Sequence, residues 1–329
     1  MYRENINLRL FGLNTNTTES NAEGNNLKAE NKVFYDKTLI HLAKPALIHG
    51  QFGQKRNIPK NGGNQIEFRK FTPLGKATTP LTEGVTPEGQ NLDVSTVNAT
   101  IHQYGGYVTI SDNLDVTAVD PVVTETLGLI SDQAAQTIDT VERDVLVAGT
   151  NVQFADGSVE ARSELTSEHK MTVDVLKRAV RTLKMNNTPK IDGYYIAIMH
   201  PSVAYDLMAD PDWIDAQKYT ANNVKKLYYG EVGEIAGVKV IESTEAKVFK
   251  DGEKSVYATL VFGKDAYGIT EIEGGGLTTI VKPLGSAGTG DPLNQRSTVG
   301  WKAYHTAEIL VEPYMVRVET LSSFNDEAN

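Results

Sequence analysis

Residues 120–149 read DPVVTETLGLISDQAAQTIDTVERDVLVAG, and this stretch decides the fold class. Its apolar residues recur at intervals of three and four, which places them on one face of an α-helix; they are Val123, Leu127, Ile130, Ala134, Ile138, Val141 and Val145. Asp120 can cap the first turn, Pro121 suits the first helical position, and Gly149 predicts a left-handed stop. The helix would be roughly 40 Å long, about three times a typical globular helix. Such a strut, flanked by β-rich sequence, favours a plate-like subunit over a round enzyme.

Four carboxylates of this helix fall mostly on the side away from the apolar stripe; they are Glu125, Asp132, Asp139 and Glu142. We expect Asp132, Asp139 and Glu142 to lie on a solvated face or on a face between subunits. A catalytic acid–base pair is the other interpretation, and the sequence favours it less.

The composition indicates a protein with a real core and excludes several kinds of chemistry. The chain has 329 residues, 40% of them apolar, and no cysteine, which excludes a disulfide framework, a thiolate zinc site and a cysteine nucleophile. No apolar run approaches the ~18 residues that a membrane helix needs, and the start shows no secretory leader. We therefore expect a protein made in a cytoplasm, without a membrane partner. A net charge of −10 argues against a grip on nucleic acid through its phosphates.

The N-terminal part carries little that a core would bury. Residues 1–32 are polar and predict a disordered arm, apart from a small alternating apolar patch at 6–11. Residues 33–49 have an apolar stripe and predict a helix. The segment FGQKRNIPKNGG at 52–63 predicts a basic, Gly-rich loop. It fits a salt-bridge partner for another subunit or a phosphate site; the first is favoured, and no Gly-Lys-Ser/Thr follows the glycines.

The sequence then turns to β signals around a long loop. Strands are predicted at 66–71, at 97–102, and at 107–110 after a break at Gly105 and Gly106. The loop TPLGKATTPLTEGVTPEGQNLD, with three prolines and three glycines, separates the first two strands. Loops of this length are usually functional or disordered, and a two-stranded flap is not stable alone in water. The flap must therefore lie on something, and another copy of the same chain is the simplest candidate.

An α/β lobe is predicted at 172–245, after a polar connector at 150–170. Its predicted elements are a helix capped by Thr172, a strand at 194–199, short helices after His200 and Asp210, and a strand at 235–241. The inward-facing residues of the first helix are Val173, Leu176, Val180 and Leu183.

The last part of the chain is again β-rich. Strands are predicted at 256–262, 277–281 and 309–318, with a Gly-rich loop at 283–298. The pattern alone thus predicts an α+β fold in which an inserted lobe interrupts a lobe of strands and one long helix.

The sequence offers little catalytic chemistry. The six histidines lack the spacing of a metal site such as HExxH, and no GxSxG nucleophile elbow occurs. His200 precedes a proline at a helix start, which favours capping over catalysis. Asp210, Asp212 and Asp215 lack the glycine and the distal Glu of a calcium loop. We predict no catalytic residue, no cofactor and no metal, and a function spread over surfaces.

Four stretches carry a family resemblance: KPALIHGQFGQKRNIPKNGGNQIEFRKFTPL at 44–74, TTPLTEGVTPEGQ at 78–90, QYGGYVTISDNLDVTAVDP at 103–121 and ERDVLVAGTNVQFADG at 142–157. They resemble the major capsid proteins of tailed bacteriophages, above all the family typified by coliphage N-four. The resemblance runs in order from about Val33 to the C-terminus. It implies the Hong Kong-type phage capsid fold, with an N-terminal arm at 1–55, an extended β-hairpin loop at 56–112, a spine helix of the peripheral domain at 113–150, a connector and axial domain at 151–249, and peripheral-domain strands at 250–329.

The resemblance also implies a function. Pentamers and hexamers of the chain would form an icosahedral head shell that encloses double-stranded phage DNA without binding it specifically, after assembly in the host cytoplasm. Scaffold, portal and decoration proteins would be further partners. Two alternatives stay open at this point: a cytoplasmic α/β enzyme with its site in the 172–245 lobe, and a surface-layer or adhesion protein.

The segment INLRLFG resembles a short leader that a host cysteine protease trims on some phage capsid and ribosomal proteins. The cut would fall between Phe11 and Gly12. Covalent lysine–asparagine crosslinks occur in some relatives; Lys60 and Lys70 lie in the right region here, but the sequence names no partner for them.

Overall fold

The structure, a computed structural model, describes residues 47–86, 88–117, 122–219 and 231–329. The chain forms two compact units, each built from separated segments. The first includes Gly105–Asp132 and Leu277–Lys302, and the second is Pro45–Tyr104, Gln133–Gly276 and Ala303–Asn329. The predicted arm, its apolar patch and the helix predicted at 33–49, as far as residue 46, lie outside the described residues.

The described chain contains five α-helices and fourteen strands. The helices are α1 (Asp112–Thr117), α2 (Val122–Val147), α3 (Val173–Met185), α4 (Pro201–Met208) and α5 (Pro211–Tyr219). The strands are β1 (Gln54–Ile58), β2 (Gln65–Phe71), β3 (Val94–Thr100), β4 (His102–Ser111), β5 (Val152–Phe154), β6 (Tyr195–Met199), β7 (Glu231–Ile235), β8 (Val238–Glu242), β9 (Val248–Asp251), β10 (Lys254–Phe262), β11 (Tyr267–Ile272), β12 (Thr278–Lys282), β13 (Arg296–Ile309) and β14 (Met315–Thr320).

In the first unit, β12 pairs antiparallel with the N-terminal half of β13, and β4 also pairs with β13. The predicted break at Gly105 and Gly106 is wrong, because both residues lie inside β4. A Cβ atom on Gly105 would lie 2.7 Å from the carbonyl oxygen of Trp301 in β13. The glycine therefore permits a close approach of two backbones and does not end a strand.

The second unit is built on a sheet with the strand order β5-β14-β10-β6-β8-β7, in which β9 also pairs with β10. β6 is buried throughout and β10 is buried beyond its first residue, which explains their continuous apolar sequences. α3 packs on β10 and β14. Its cap is confirmed, since Thr172 accepts a hydrogen bond from the Val175 N–H at 3.4 Å. The four predicted inward residues of α3 are all buried.

A further group of strands in the second unit corrects the prediction of a loop at 52–63. β1 pairs parallel with β11, and β11 pairs antiparallel with the C-terminal half of β13. The sequence of β1, QKRNI, is polar, and only Ile58 is buried. Backbone pairing to β11, which no side-chain pattern records, makes this segment a strand.

The long helix is confirmed as α2, a helix of 26 residues. Four residues of the predicted stripe are buried: Leu127, Ile130, Ala134 and Ile138. Asp120 and Pro121, the predicted start signals, lie outside the described residues.

The end of α2 differs from the prediction. Gly149 is not among the described residues with a positive φ, so it makes no left-handed stop. Instead the guanidinium of Arg317 donates to the carbonyl oxygen of Val147, the last residue of α2, and to that of Gly149, the second at 3.1 Å. A Cβ atom on Gly149 would lie 3.1 Å from Oε1 of Glu312, so glycine serves the close approach of that side chain.

Two other strand predictions need correction. The strand predicted at 235–241 is a hairpin, in which Ala236 and Gly237, both with positive φ, join β7 to β8. The strand predicted at 309–318 is the end of β13, a short 3₁₀ turn and β14. β13 itself begins within the stretch predicted as a Gly-rich loop.

Candidate functional site

β2 and β3 form a two-stranded antiparallel ribbon that runs from the pair Gln65–Thr100 to the pair Phe71–Val94. This confirms the prediction of two strand-like legs around a long loop. At its base the ribbon lies against β11, because a Cβ atom on Gly268 would lie 3.0 Å from the ring of Phe68. The connection between the legs, residues 72–93, is called the tip loop below.

The described residues of the tip loop are all exposed. Their backbone N–H groups that form hydrogen bonds use only carbonyls of the same loop: Thr72 to Asp93, Thr78 to Lys76 and Val85 to Thr82. The ribbon and the tip loop also expose large apolar side chains, which are Phe71 (66%), Leu74 (54%), Leu81 (77%), Val85 (63%), Leu92 (68%) and Val94 (47%).

Such a surface is costly for an isolated chain in water. A two-stranded ribbon has unpaired backbone groups on both edges, and several large apolar side chains exposed on one short element indicate an interaction site. The structure therefore presents the ribbon and the tip loop as a surface that needs a partner.

A second group of titratable residues surrounds the second half of α2, and all of its members except Glu271 are buried. We call it the α2 polar cluster; its members are His49, Asp139, Glu142, Glu271 and His305. The carboxylate of Asp139 accepts hydrogen bonds from the N–H groups of Ile48 and His49 at 2.9 and 2.8 Å. Its Oδ2 lies 2.7 Å from Nδ1 of the His49 ring, and both side chains are 1% exposed. Tyr267 donates its hydroxyl hydrogen to the carbonyl oxygen of His49.

The second half of the α2 polar cluster is centred on His305 of β13. Its Nε2 lies 2.9 Å from Oε1 of Glu142, and its Nδ1 lies 3.8 Å from Oε1 of Glu271. Burial on its own would lower the pKa of His305, but the two carboxylates beside the ring outweigh burial and raise the pKa to about 9. The imidazolium in turn holds the pKa of Glu271 below its usual value. Gly50 leaves room for the Glu142 carboxylate, since a Cβ atom there would lie 2.7 Å from Oε2.

The prediction for the carboxylates of α2 is thus wrong for two of the three residues. Asp132 is exposed, as expected, whereas Asp139 and Glu142 are buried within the described chain and therefore lie on neither a solvated nor an intersubunit face. The sequence carried one weak signal for this: Asp139 and Glu142 directly border Ile138 and Val141 of the apolar stripe. Their partners His49 and His305 are distant in sequence, and no local pattern marks them as partners.

The remaining candidate residues have structural roles. Nδ1 of His200 accepts a hydrogen bond from the Ser202 N–H at 3.3 Å, which makes His200 the cap of α4. The carboxylate of Asp210 accepts from the N–H groups of Val173 and Asp212, both at 2.9 Å. Both side chains thus fix helix starts, through the hydrogen bonds that N-caps supply.

The remaining predictions concern the cleavage site, two lysines, metal ligands and membrane helices. Phe11 and Gly12 lie outside the described residues, while Lys60 and Lys70 are exposed. Within the described chain no group of histidines and carboxylates has the geometry of a metal site. None of its helices combines the length and apolar character that crossing a bilayer requires.

Both the sequence and the fold are similar to those of known proteins. A sequence model described as phage capsid protein matches residues 94–318. No curated protein matches the chain. Among solved structures, the capsid of Ralstonia phage GP4 is 15% identical with a TM-score of 0.68, covering 84% of this chain and 88% of the other. The capsid of cyanophage P-SCSP1u (15% identity, TM-score 0.63, 84% and 89% covered) and that of cyanophage Pam1 (14%, 0.59, 83% and 89%) have the same fold.

These similarities confirm the predicted α+β capsid fold and give no support to the enzyme or the surface-layer alternative. The family match covers more than half of the chain and includes β3, α2 and most of the strands described above. The chain therefore belongs to the phage capsid protein family, and it is a major capsid protein that forms the head shell of the virion.

Proposed function

We propose that this subunit assembles into pentamers and hexamers, that these close into an icosahedral shell around double-stranded phage DNA, and that it has no catalytic activity. The observation that carries the proposal is the exposed ribbon with its tip loop, whose apolar side chains find no cover in the described part of the chain. In a shell each ribbon would lie on a neighbouring copy. Repeated head-to-tail contacts of this kind form rings when the rotation between neighbouring copies closes.

The parts of the subunit follow from the same proposal. Residues 1–55 would be the N-terminal arm, 56–112 the extended loop and 113–150 the spine helix. Residues 151–249 would be the connector and axial domain, and 250–329 the peripheral strands. The described elements fit this order, with the ribbon inside the second segment and α2 inside the third.

The partners beyond other copies of the chain are also proposals. Scaffold, portal and decoration proteins would bind the assembled shell, and packaged DNA would lie nearby without specific binding. The net charge of −10 supports the last point, because a wall that is acidic overall repels phosphates. Assembly in the host cytoplasm and likeness to the coliphage N-four type complete the proposal.

Cleavage between Phe11 and Gly12 is part of the proposal, and intact-mass measurement of assembled particles tests it. A mass that lacks residues 1–11 is the expected result. A mass that retains Met1 would dismiss the cleavage and leave the capsid function untouched.

The decisive experiment removes the tip loop. Residues Pro73 to Leu92 are replaced by Asn-Gly, which makes a two-residue hairpin turn between the paired residues Thr72 and Asp93. We expect a soluble, folded subunit that forms no shells in electron micrographs, because its core lies elsewhere in the chain. A second variant carries a Gly/Ser segment of the original length in the same place; it should also fail, since it keeps the reach of the loop but not its side chains. Normal shells from both variants would refute the role of the ribbon.

A further inference from the structure

α3 and the β7–β8 turn border an open groove of about 530 Å³. Its lining residues are Lys177, Val180, Arg181, Lys184, Met185 and Ala236. The floor is partly apolar, since Met185 is 66% exposed beside Val180. The rim is cationic and includes no carboxylate. A groove with this lining suits an anionic segment that also carries apolar side chains.

The cations of the groove share one face of α3. Lys177, Arg181 and Lys184 are four and three positions apart, so they lie within roughly 60° of each other around the helix. Lys177 has one partner, Asp212 of α5, at 3.1 Å. Within the described chain, Arg181 and Lys184 have no carboxylate within salt-bridge distance. Two exposed cations therefore face the groove without a counter-charge.

The tip loop has the complementary composition. No lysine or arginine occurs between Lys76 and Arg143. Within this interval the tip loop carries Glu83, Glu88 and Asp93, all exposed and, among the described residues, without an ion pair. The exposed apolar side chains of Leu81 and Val85 flank the first of these carboxylates. The loop thus offers three negative charges interleaved with apolar groups.

We propose that the tip loop of one subunit docks in the cationic groove on α3 of a neighbouring copy, with Glu83 and Glu88 facing Arg181 and Lys184. The inference rests on the proposed function, because it assigns a site to the contact that holds neighbouring subunits together. Loop and groove are different surfaces of the same chain, so the contact is head-to-tail and propagates around a ring.

The dimensions allow the contact. Seven paired residues of β2 and β3 span about 23 Å. Eleven residues on each side of the tip loop add up to roughly 36 Å when extended. The loop can therefore reach a groove well outside its own subunit. The negative charges of the loop and the positive charges of the groove would guide the approach. Like charges would disfavour other positions of the loop on the neighbouring subunit.

Charge reversal tests the docking in assembly. We expect Arg181→Glu with Lys184→Glu, and separately Glu83→Lys with Glu88→Lys, to raise the subunit concentration at which shells form by about tenfold or more. All four changes together should restore assembly, because the pairs are re-formed with inverted sign. A matched control combines the groove reversal with Glu253→Lys and Glu273→Lys, two exposed carboxylates elsewhere. It has the net charge of the rescued variant but should not assemble like it.

Direct binding separates this inference from the proposed function. A synthetic peptide of residues 77–93 is titrated into the subunit whose tip loop is replaced by Asn-Gly. Salt-sensitive binding that the groove reversal abolishes is the expected result. If the loop-deleted subunit forms no shells but neither binds the peptide nor shows rescue by the fourfold swap, the ribbon acts at another site and the groove assignment is wrong. If the groove reversal assembles normally and instead loses affinity for a duplex DNA probe, the groove binds phosphates and the inference is likewise overturned.

Discussion

The second half of α2 and the tip loop differ in whether their side chains find partners within the same chain. On α2, the carboxylates of Asp139 and Glu142 are buried and meet His49 and His305 of the same chain. On the tip loop, apolar side chains such as Leu81 remain in solvent. One region is complete within the subunit and the other is not.

This difference separates stability from assembly along the chain. Substitutions in the α2 polar cluster should change the free energy of unfolding of the single subunit, because every contact there is intramolecular. Substitutions in the tip loop should leave that free energy unchanged and alter only the formation of shells. The loop-deleted subunit is a suitable background for stability measurements, since we expect it to stay dispersed.

The largest effect is expected for Asp139→Ala. The change leaves the N–H groups of Ile48 and His49 and a buried imidazole without their acceptor. Breaking a buried pair of this kind costs about 3–5 kcal/mol of unfolding free energy. Urea denaturation of the loop-deleted subunit measures the loss. Asp132→Ala, at an exposed position of the same helix, is the control and should change stability by less than about 0.5 kcal/mol. Equal effects of the two changes would contradict the structural role of the cluster.

A pair of identical substitutions sharpens the comparison. Leu176 of α3 is fully buried and Leu81 of the tip loop is 77% exposed. Leu176→Ala should destabilise the subunit by about 3 kcal/mol, because it removes buried methyl groups and leaves a cavity. Leu81→Ala, made in the full-length chain, should leave the unfolding transition in place and reduce the yield of shells. Denaturation curves together with sedimentation of assembled particles distinguish the two outcomes; a stability loss at Leu81 would show that the tip loop is packed within its own subunit.

The sequence predicted those elements whose own pattern of apolar and polar residues shows which side chains are buried. The stripe of α2, the cap Thr172 and the apolar run of β10 each follow from local periodicity or composition. The ribbon was predictable for the same reason, because alternating strands around a Pro- and Gly-rich loop leave few residues for a core of their own.

The missed elements depend on partners that are distant in sequence. β1 is polar and exists because β11 pairs with its backbone. β13 contains buried polar residues, among them His305, which faces the carboxylates of Glu142 and Glu271. The β7–β8 turn has positive φ at Ala236 as well as Gly237, and alanine gives no signal for that conformation. The buried state of Asp139 was likewise invisible without His49.

The smallest effect expected concerns pH and isolates the histidine half of the α2 polar cluster. The pKa of His305 is about 9 in the folded chain and close to 6.5 when unfolded. A raised pKa means that the folded state binds the proton more tightly, so this stabilisation is fully present below about pH 6.5 and is lost as the pH rises through 9. It contributes up to about 3 kcal/mol. Urea denaturation at pH 6.5 and 9.5 should show this loss in the loop-deleted subunit, and His305→Gln should remove the pH dependence that His305 causes. A loss of equal size in the parent and in the His305→Gln variant would mean that His305 does not titrate with its carboxylate partners. The tip loop has no histidine, so the pH dependence of shell formation should be the same with and without His305→Gln.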